Sequence, residues 1–158
     1  MEIKGERVVL RPATGQDAEK LHEIVREPAV AAWWAPLEGF EGMLAVVHDG
    51  EVVGAIQYDE ELDEDYRHAS IDVFLSGRHQ GRGLGTDAVR TLARWLVQER
   101  GHHRVTIDPA AANAAAIRCY GKVGFKPVGI MREYERDPLT GEWRDGLLMD
   151  LLARELAD

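Results

Sequence analysis

Three glycines alternate with other residues in Gln80-Gly81-Arg82-Gly83-Leu84-Gly85, with Arg78 just upstream and Arg82 inside the run. Glycine tolerates positive φ and carries no Cβ, so such a turn can bring bare backbone N–H groups up to an anion. A strand ends near Ser76 and an amphipathic helix opens at Gly83, and the helix adds roughly half a positive charge at its N-terminus. The pattern suits the cradling of a phosphate. Two further residues could move protons: Asp72, within the strand that leads into the turn, and Tyr120, on a later helix.

The elements that must position these groups follow from periodicity and turn chemistry. Residues 6–11 read as a strand, and Thr14-Gly15-Gln16-Asp17 as a capping box opening a helix with Ala18, Leu21, Ile24 and Val25 on its apolar stripe. Pro28 ends that helix, and Trp33-Trp34-Ala35-Pro36 marks an irregular segment. Residues 43–47 and 52–58 flank Asp49-Gly50 as a hairpin; an acidic loop, 59–65, precedes a strand over 67–76. Leu84, Ala88, Leu92 and Leu96 recur every four positions in a helix over 83–100. A short strand over 104–107, a helix over 112–123 and two segments flanking Pro138-Leu139-Thr140-Gly141 complete the chain. This order predicts an α/β (α+β) fold in a single domain over 1–158: a mixed sheet of about six to seven strands with about four helices.

Composition removes several classes of function. No apolar run approaches the roughly 20 residues of a membrane span, and the first residues lack the order of a secretory signal, so the expected location is the cytoplasm. The net charge of −9 disfavours nucleic acid and favours a cationic partner, although the same charge would also serve solubility alone. Cys119 is the only cysteine and none of the six histidines forms a metal-ligand pattern, so no metal is expected.

Three phosphate-binding motifs compete for the turn. A Walker P-loop requires Gly-Lys-Ser/Thr, which is missing. A Rossmann fingerprint counted from Gly81 meets Thr86 where its third glycine belongs. The remaining motif is (Arg/Gln)-x-x-Gly-x-(Gly/Ala), which Gln80, Gly83 and Gly85 match. In this the chain resembles the GNAT superfamily of N-acetyltransferases. A second segment, Asn113 to Phe125, is similar to the superfamily's Asn-x-x-Ala-x-x-x-Tyr-x-Lys-x-Gly-Phe through Ala116, Tyr120, Lys122, Gly124 and Phe125.

The resemblance implies acetyl-CoA as acyl donor. Its pyrophosphate would lie on Gln80, Gly81, Arg82, Gly83, Leu84, Gly85 and Thr86, and its pantetheine along Val73, Phe74 and Leu75, with Asn113 and Ala116 opposite. It further implies that a backbone N–H near Val73 or Phe74 meets the oxyanion, and that Tyr120 returns a proton to the thiolate. Asp72 is the candidate base for the attacking amine, set against an outward strand carboxylate that alternation with Ser70 and Phe74 also allows. Tyr120 could equally be a buried anchor.

Asp108-Pro109 stands five residues before Asn113 and is followed by Ala-Ile-Arg-Cys-Tyr, as in the aminoglycoside 6'-N-acetyltransferases. That resemblance implies Asp72 and Asp108 as contacts to a substrate ammonium. The acidic loop 59–65 could edge the cleft, and Trp33 and Trp34 could supply a flat wall or simply pack a lid. A protein N-terminal amine or a siderophore amine is an alternative acceptor, and a non-catalytic acyl-CoA sensor an alternative function. The expected assembly is a monomer or a homodimer.

Overall fold

A computed structural model of the protein describes residues 1–156. Among these, eight strands form one sheet in the order β1-β2-β3-β4-β5-β6-β8-β7, with β1 at Ile3–Lys4, β2 at Val9–Pro12, β3 at Leu44–His48, β4 at Glu51–Glu61, β5 at His68–Leu75, β6 at Arg104–Ile107, β7 at Lys126–Arg136 and β8 at Trp143–Leu152. Four α-helices accompany it: α1 at Ala18–Arg26, α2 at Pro28–Ala31, α3 at Leu84–Gln98 and α4 at Ala114–Val123. The expected six to seven strands become eight because an extra strand, β1, precedes the stretch over 6–11, whose own strand starts only at Val9. Two-residue β1, too short for any periodicity to register, turns back at Gly5 and pairs with β2.

Local chemistry accounts for the main elements. Thr14 and Asp17 make the expected capping box, and Asp17 also takes the Arg11 guanidinium at 2.8 and 3.0 Å. Pro28 does more than stop α1: it stands at the first position of α2, where its missing N–H has no intrahelical partner to lose. The β3–β4 hairpin turns on Asp49 (φ 49°) and Gly50 (φ 76°), two successive left-handed residues that match the twist of the flanking strands. At Gly54 the neighbouring strand comes so close that a Cβ would lie 2.1 Å from the Phe74 carbonyl oxygen.

Alternation along β5 sends side chains into two cores. Ala69, Ile71 and Leu75 pack with Leu84, Ala88, Leu92 and Leu96 of α3, while Phe74 points to the opposite face and packs with Leu21, Ile24 and Val25 of α1. The sheet is therefore covered on both sides, and its one parallel pair lies in the middle. Strands β5 and β6 pair only at Ala69 with Val105 and Ser70 with Thr106; beyond Ser70 they part. After β6 the chain stays with β8, the Leu147 N–H donating to the Pro109 carbonyl and Ala110 bridging Gly146, so the backbone of β5 from Asp72 onward is left open on that side.

Candidate active site

The opening between β5 and β6 leads into a cavity of about 480 Å³ lined by α2, β5, the glycine turn and α4. Which main-chain groups face it follows from the ladder. The Ser76 N–H donates to Val53 on β4, so by alternation Phe74 also faces β4, and Val73 and Leu75 face the opening. Side chains agree: the Trp34 indole N–H donates to the Val73 carbonyl at 3.2 Å and Gln80 Nε2 donates to the Leu75 carbonyl at 2.9 Å. Of the two amides considered for an oxyanion, the Val73 N–H therefore faces the opening, and it donates to Asp72 Oδ1 at 3.1 Å.

The glycine turn lies at the far end of the cavity. Gly81 (φ 74°) and Gly83 (φ 82°) are both left-handed, with Arg82 between them at negative φ, an alternation that gathers successive N–H groups into a concave anion nest. Gly83 caps α3 without a side chain, so the first-turn N–H groups have no side-chain cap. Of the positions expected for the donor, Val73, Phe74, Leu75, Gln80, Gly81, Gly83, Gly85, Thr86, Asn113, Ala116 and Tyr120 line the cavity. Arg82 is exposed outside it, and Leu84 is fully buried in the core beneath α3. Asn113 caps α4, its Oδ1 accepting the Ala116 N–H at 3.2 Å, which leaves its NH2 as a donor. The cavity thus has the shape and donors for a phosphate-bearing thioester arm.

Trp33 and Trp34 line the cavity too, and Trp34 meets Phe74 edge-on with ring centroids 4.9 Å apart, so it is at once wall and core. Arg118 and Lys122, which fall within the motif segments but for which the sequence suggested no role, also line the cavity, four residues apart on α4.

Titratable groups gather beside Val73. Asp72 is exposed by area, yet protein surrounds it closely enough that lost hydration, then the nearby Asp108 and Glu135 charges, push its carboxyl up to about 7. Burial also raises Asp108, whose carboxylate accepts a 2.8 Å hydrogen bond from the Tyr134 hydroxyl. Burial drives Tyr120 well above the ordinary phenol range, so it keeps its proton. Glu135 was absent from sequence reasoning. It pairs at 2.9 Å with Arg144, whose guanidinium also donates to the Ala32 carbonyl and lies 5.1 Å from the centre of the Trp33 ring.

The acidic stretch 59–65 lies elsewhere. Asp59 to Glu61 continue β4, and Glu60 accepts from Arg100 at 2.9 Å and contacts the buried His102 at 2.5 Å, near the C-terminal end of α3. Asp72 sits opposite Gln57 and His68 opposite Glu61, so the stretch begins to turn roughly 13 Å along the strand from Asp72. Along β4 these acids run away from the cleft, and there Glu60 meets a buried histidine.

Comparison with known proteins follows the same outline. The sequence profile of the Acetyltransferase (GNAT) family matches residues 10–125. The chain is 29% identical over 153 residues to the aminoglycoside N(6')-acetyltransferase type 1 of Klebsiella pneumoniae, covering 77% of this chain and 75% of that protein. It is 25% identical to the spermidine N(1)-acetyltransferase of Escherichia coli K12, covering 90% and 84%. The structure of AAC(6')-Ib in complex with paromomycin and acetyl-CoA superposes with a TM-score of 0.76 at 24% identity, over 95% of this chain and 96% of that one.

Proposed function

The chain belongs to the acetyltransferase (GNAT) family and is an N-acetyltransferase with acetyl-CoA as donor, and we propose that its acceptor is a primary amine of a small polycation, foremost the 6'-amine of an aminoglycoside antibiotic. One observation carries this reading: the Asp108 charge lies close enough to push the Asp72 carboxyl up, and Asp72 adjoins Val73 on the wall of a cavity fit for the donor. Two carboxylates held together against their repulsion are relieved by a cation. The likeness to the Klebsiella pneumoniae enzyme, which acts on aminoglycosides, supports the same class. Among the described residues no helix is long and apolar enough to cross a membrane.

Bound acetyl-CoA supplies the electrophilic thioester carbon. Asp72, with its carboxyl at about 7, is half ionised near neutrality and takes the proton from the incoming ammonium. A turn of Asp72 toward that ammonium would free the Val73 N–H from Asp72 Oδ1, and this main-chain donor would then be available to an oxyanion. Once the amine has bonded to the thioester carbon and the C–S bond breaks, Tyr120, held protonated by burial, would give its proton to the departing thiolate. The second proton that the nitrogen sheds as the amide forms would restore it. Asp108, oriented by Tyr134, holds a second ammonium. The acceptor panel that tests this measures coenzyme A release with kanamycin-type aminoglycosides, spermidine and peptides with free N-termini. Turnover with aminoglycosides is expected; turnover with peptides alone would replace the acceptor, and tight acetyl-CoA binding without turnover on any amine would make the protein a sensor. Spermidine is the second reading, carried by the likeness to the Escherichia coli enzyme along 90% of this chain.

A further inference from the structure

Arg7 precedes β2 and lies far in sequence from every group considered so far. Its backbone is anchored to the start of α3: the Asp87 carboxylate accepts the N–H groups of Glu6 at 3.2 Å, Arg7 at 2.8 Å and Val8 at 3.0 Å. From that anchor the Arg7 guanidinium reaches the glycine turn, where Nη1 donates to the Arg82 carbonyl at 2.5 Å. The same Nη1 stands 3.1 Å from where a Cβ on Gly83 would project, so guanidinium and glycine fit together.

The peptide joining Arg82 to Gly83 is trans, and in a trans peptide the C=O and N–H point in opposite directions. Gly81, Gly83 and Gly85 line the cavity, whereas Arg7 and Arg82 are not part of its wall. A carbonyl drawn to the outer side by Arg7 turns the Gly83 N–H toward the inner side. Glycine is free to adopt the flipped alternative, in which that carbonyl oxygen would meet an anion with its lone pairs. We propose that Arg7 is a positioning residue for the donor's pyrophosphate, gripping the Arg82 carbonyl from behind the turn so that the Gly83 N–H faces the anion. Its positive charge adds to the field of the helix N-terminus without occupying the cavity.

This inference rests on the reading that the turn over 80–85 holds the pyrophosphate, and three variants separate the two. Calorimetry with coenzyme A and with pantetheine, which has the arm but no pyrophosphate, is run on Arg7→Gln and Gly81→Asp, with thermal melting of each. Gly81 has open space around its Cβ position, and aspartate tolerates its φ of 74° better than most residues, so that variant folds and sets a carboxylate against the phosphates. Arg7→Gln is expected to weaken coenzyme A about tenfold, the loss of one well-aimed N–H to an anion, with pantetheine affinity and melting temperature unchanged. Arg7→Lys, which keeps the charge and one donor, is expected to recover part of the loss. Unchanged coenzyme A affinity in Arg7→Gln while Gly81→Asp loses it, or equal losses for both ligands in Arg7→Gln, overturns the role of Arg7 and leaves the turn reading intact. Full affinity in Gly81→Asp overturns the turn reading, and the role of Arg7 with it.

Discussion

At the scale of single residues, the proposed mechanism depends on one carboxyl, Asp72, whose surroundings push it up to about 7. Asp72 accepts a proton only when ionised, so the rate at saturating acetyl-CoA is expected to rise as pH climbs through about 7. Replacing Asp108 by asparagine removes a negative neighbour, which favours ionised Asp72 and lowers its pKa. The midpoint of the kcat/KM profile should therefore move to lower pH for the same amine, and a profile that stays in place or moves up would contradict the coupling. Asp72→Asn is expected to reduce turnover by about 10² to 10⁴-fold with the affinity for coenzyme A retained. Tyr120 is protonated throughout the working range, so Tyr120→Phe should lower kcat by about 10²-fold or more without creating a new pH dependence. Steady-state kinetics across pH on the four proteins checks all of these.

At the scale of elements, the glycine turn is only as well placed as the helix behind it. Asp87 in the first turn of α3 accepts three backbone N–H groups, and Val8 among them is 1% exposed. Asp87→Ala leaves those donors without their acceptor and is expected to cost about 3 kcal/mol or more, seen as a lower midpoint in denaturant unfolding. Asp17 does the same work for α1: the hydrogen-bonded Arg11 guanidinium is the first cause that brings its carboxyl down to about 2. Its folded pKa lies below the unfolded value near 3.8, so its contribution is present above pH 3.8 and is lost as pH falls toward about 2. An acid titration should show Asp17→Asn differing from the parent above that window and converging on it below.

At the scale of the whole molecule, a net charge of −9 would draw the proposed polycation toward Asp72 and Asp108. Raising salt from about 0.01 M to about 0.5 M shortens the screening length several-fold, so KM for an aminoglycoside should rise while kcat changes little. A salt-independent KM would confine the acceptor's recognition to contacts too close for screening. The sheet that carries these charges was largely legible beforehand. Strong periods marked α1, α3, β3, β4 and β5, and Gly101 and Gly124 marked where α3 and α4 end, because those signals are local; the helix expected from 112 starts two residues later, at Ala114. Resemblance to the two family motifs also singled out Gln80, Gly83, Gly85, Asn113 and Tyr120, all of which line one cavity. What no local signal carries is which distant groups share a neighbourhood. Glu60 went to His102 and away from the cleft, Glu135 came in beside Asp72 with Arg144 holding Trp33, and Arg7 arrived behind a turn 75 residues on. Sequence alone determined the glycine turn and the two-sided alternation of β5, since backbone torsions and side-chain period decide those within a few residues. Tertiary structure alone decided the parting of β5 from β6 and the ionisation of Asp72, because an unpaired strand edge and a carboxyl's loss of hydration depend on what the rest of the chain brings alongside.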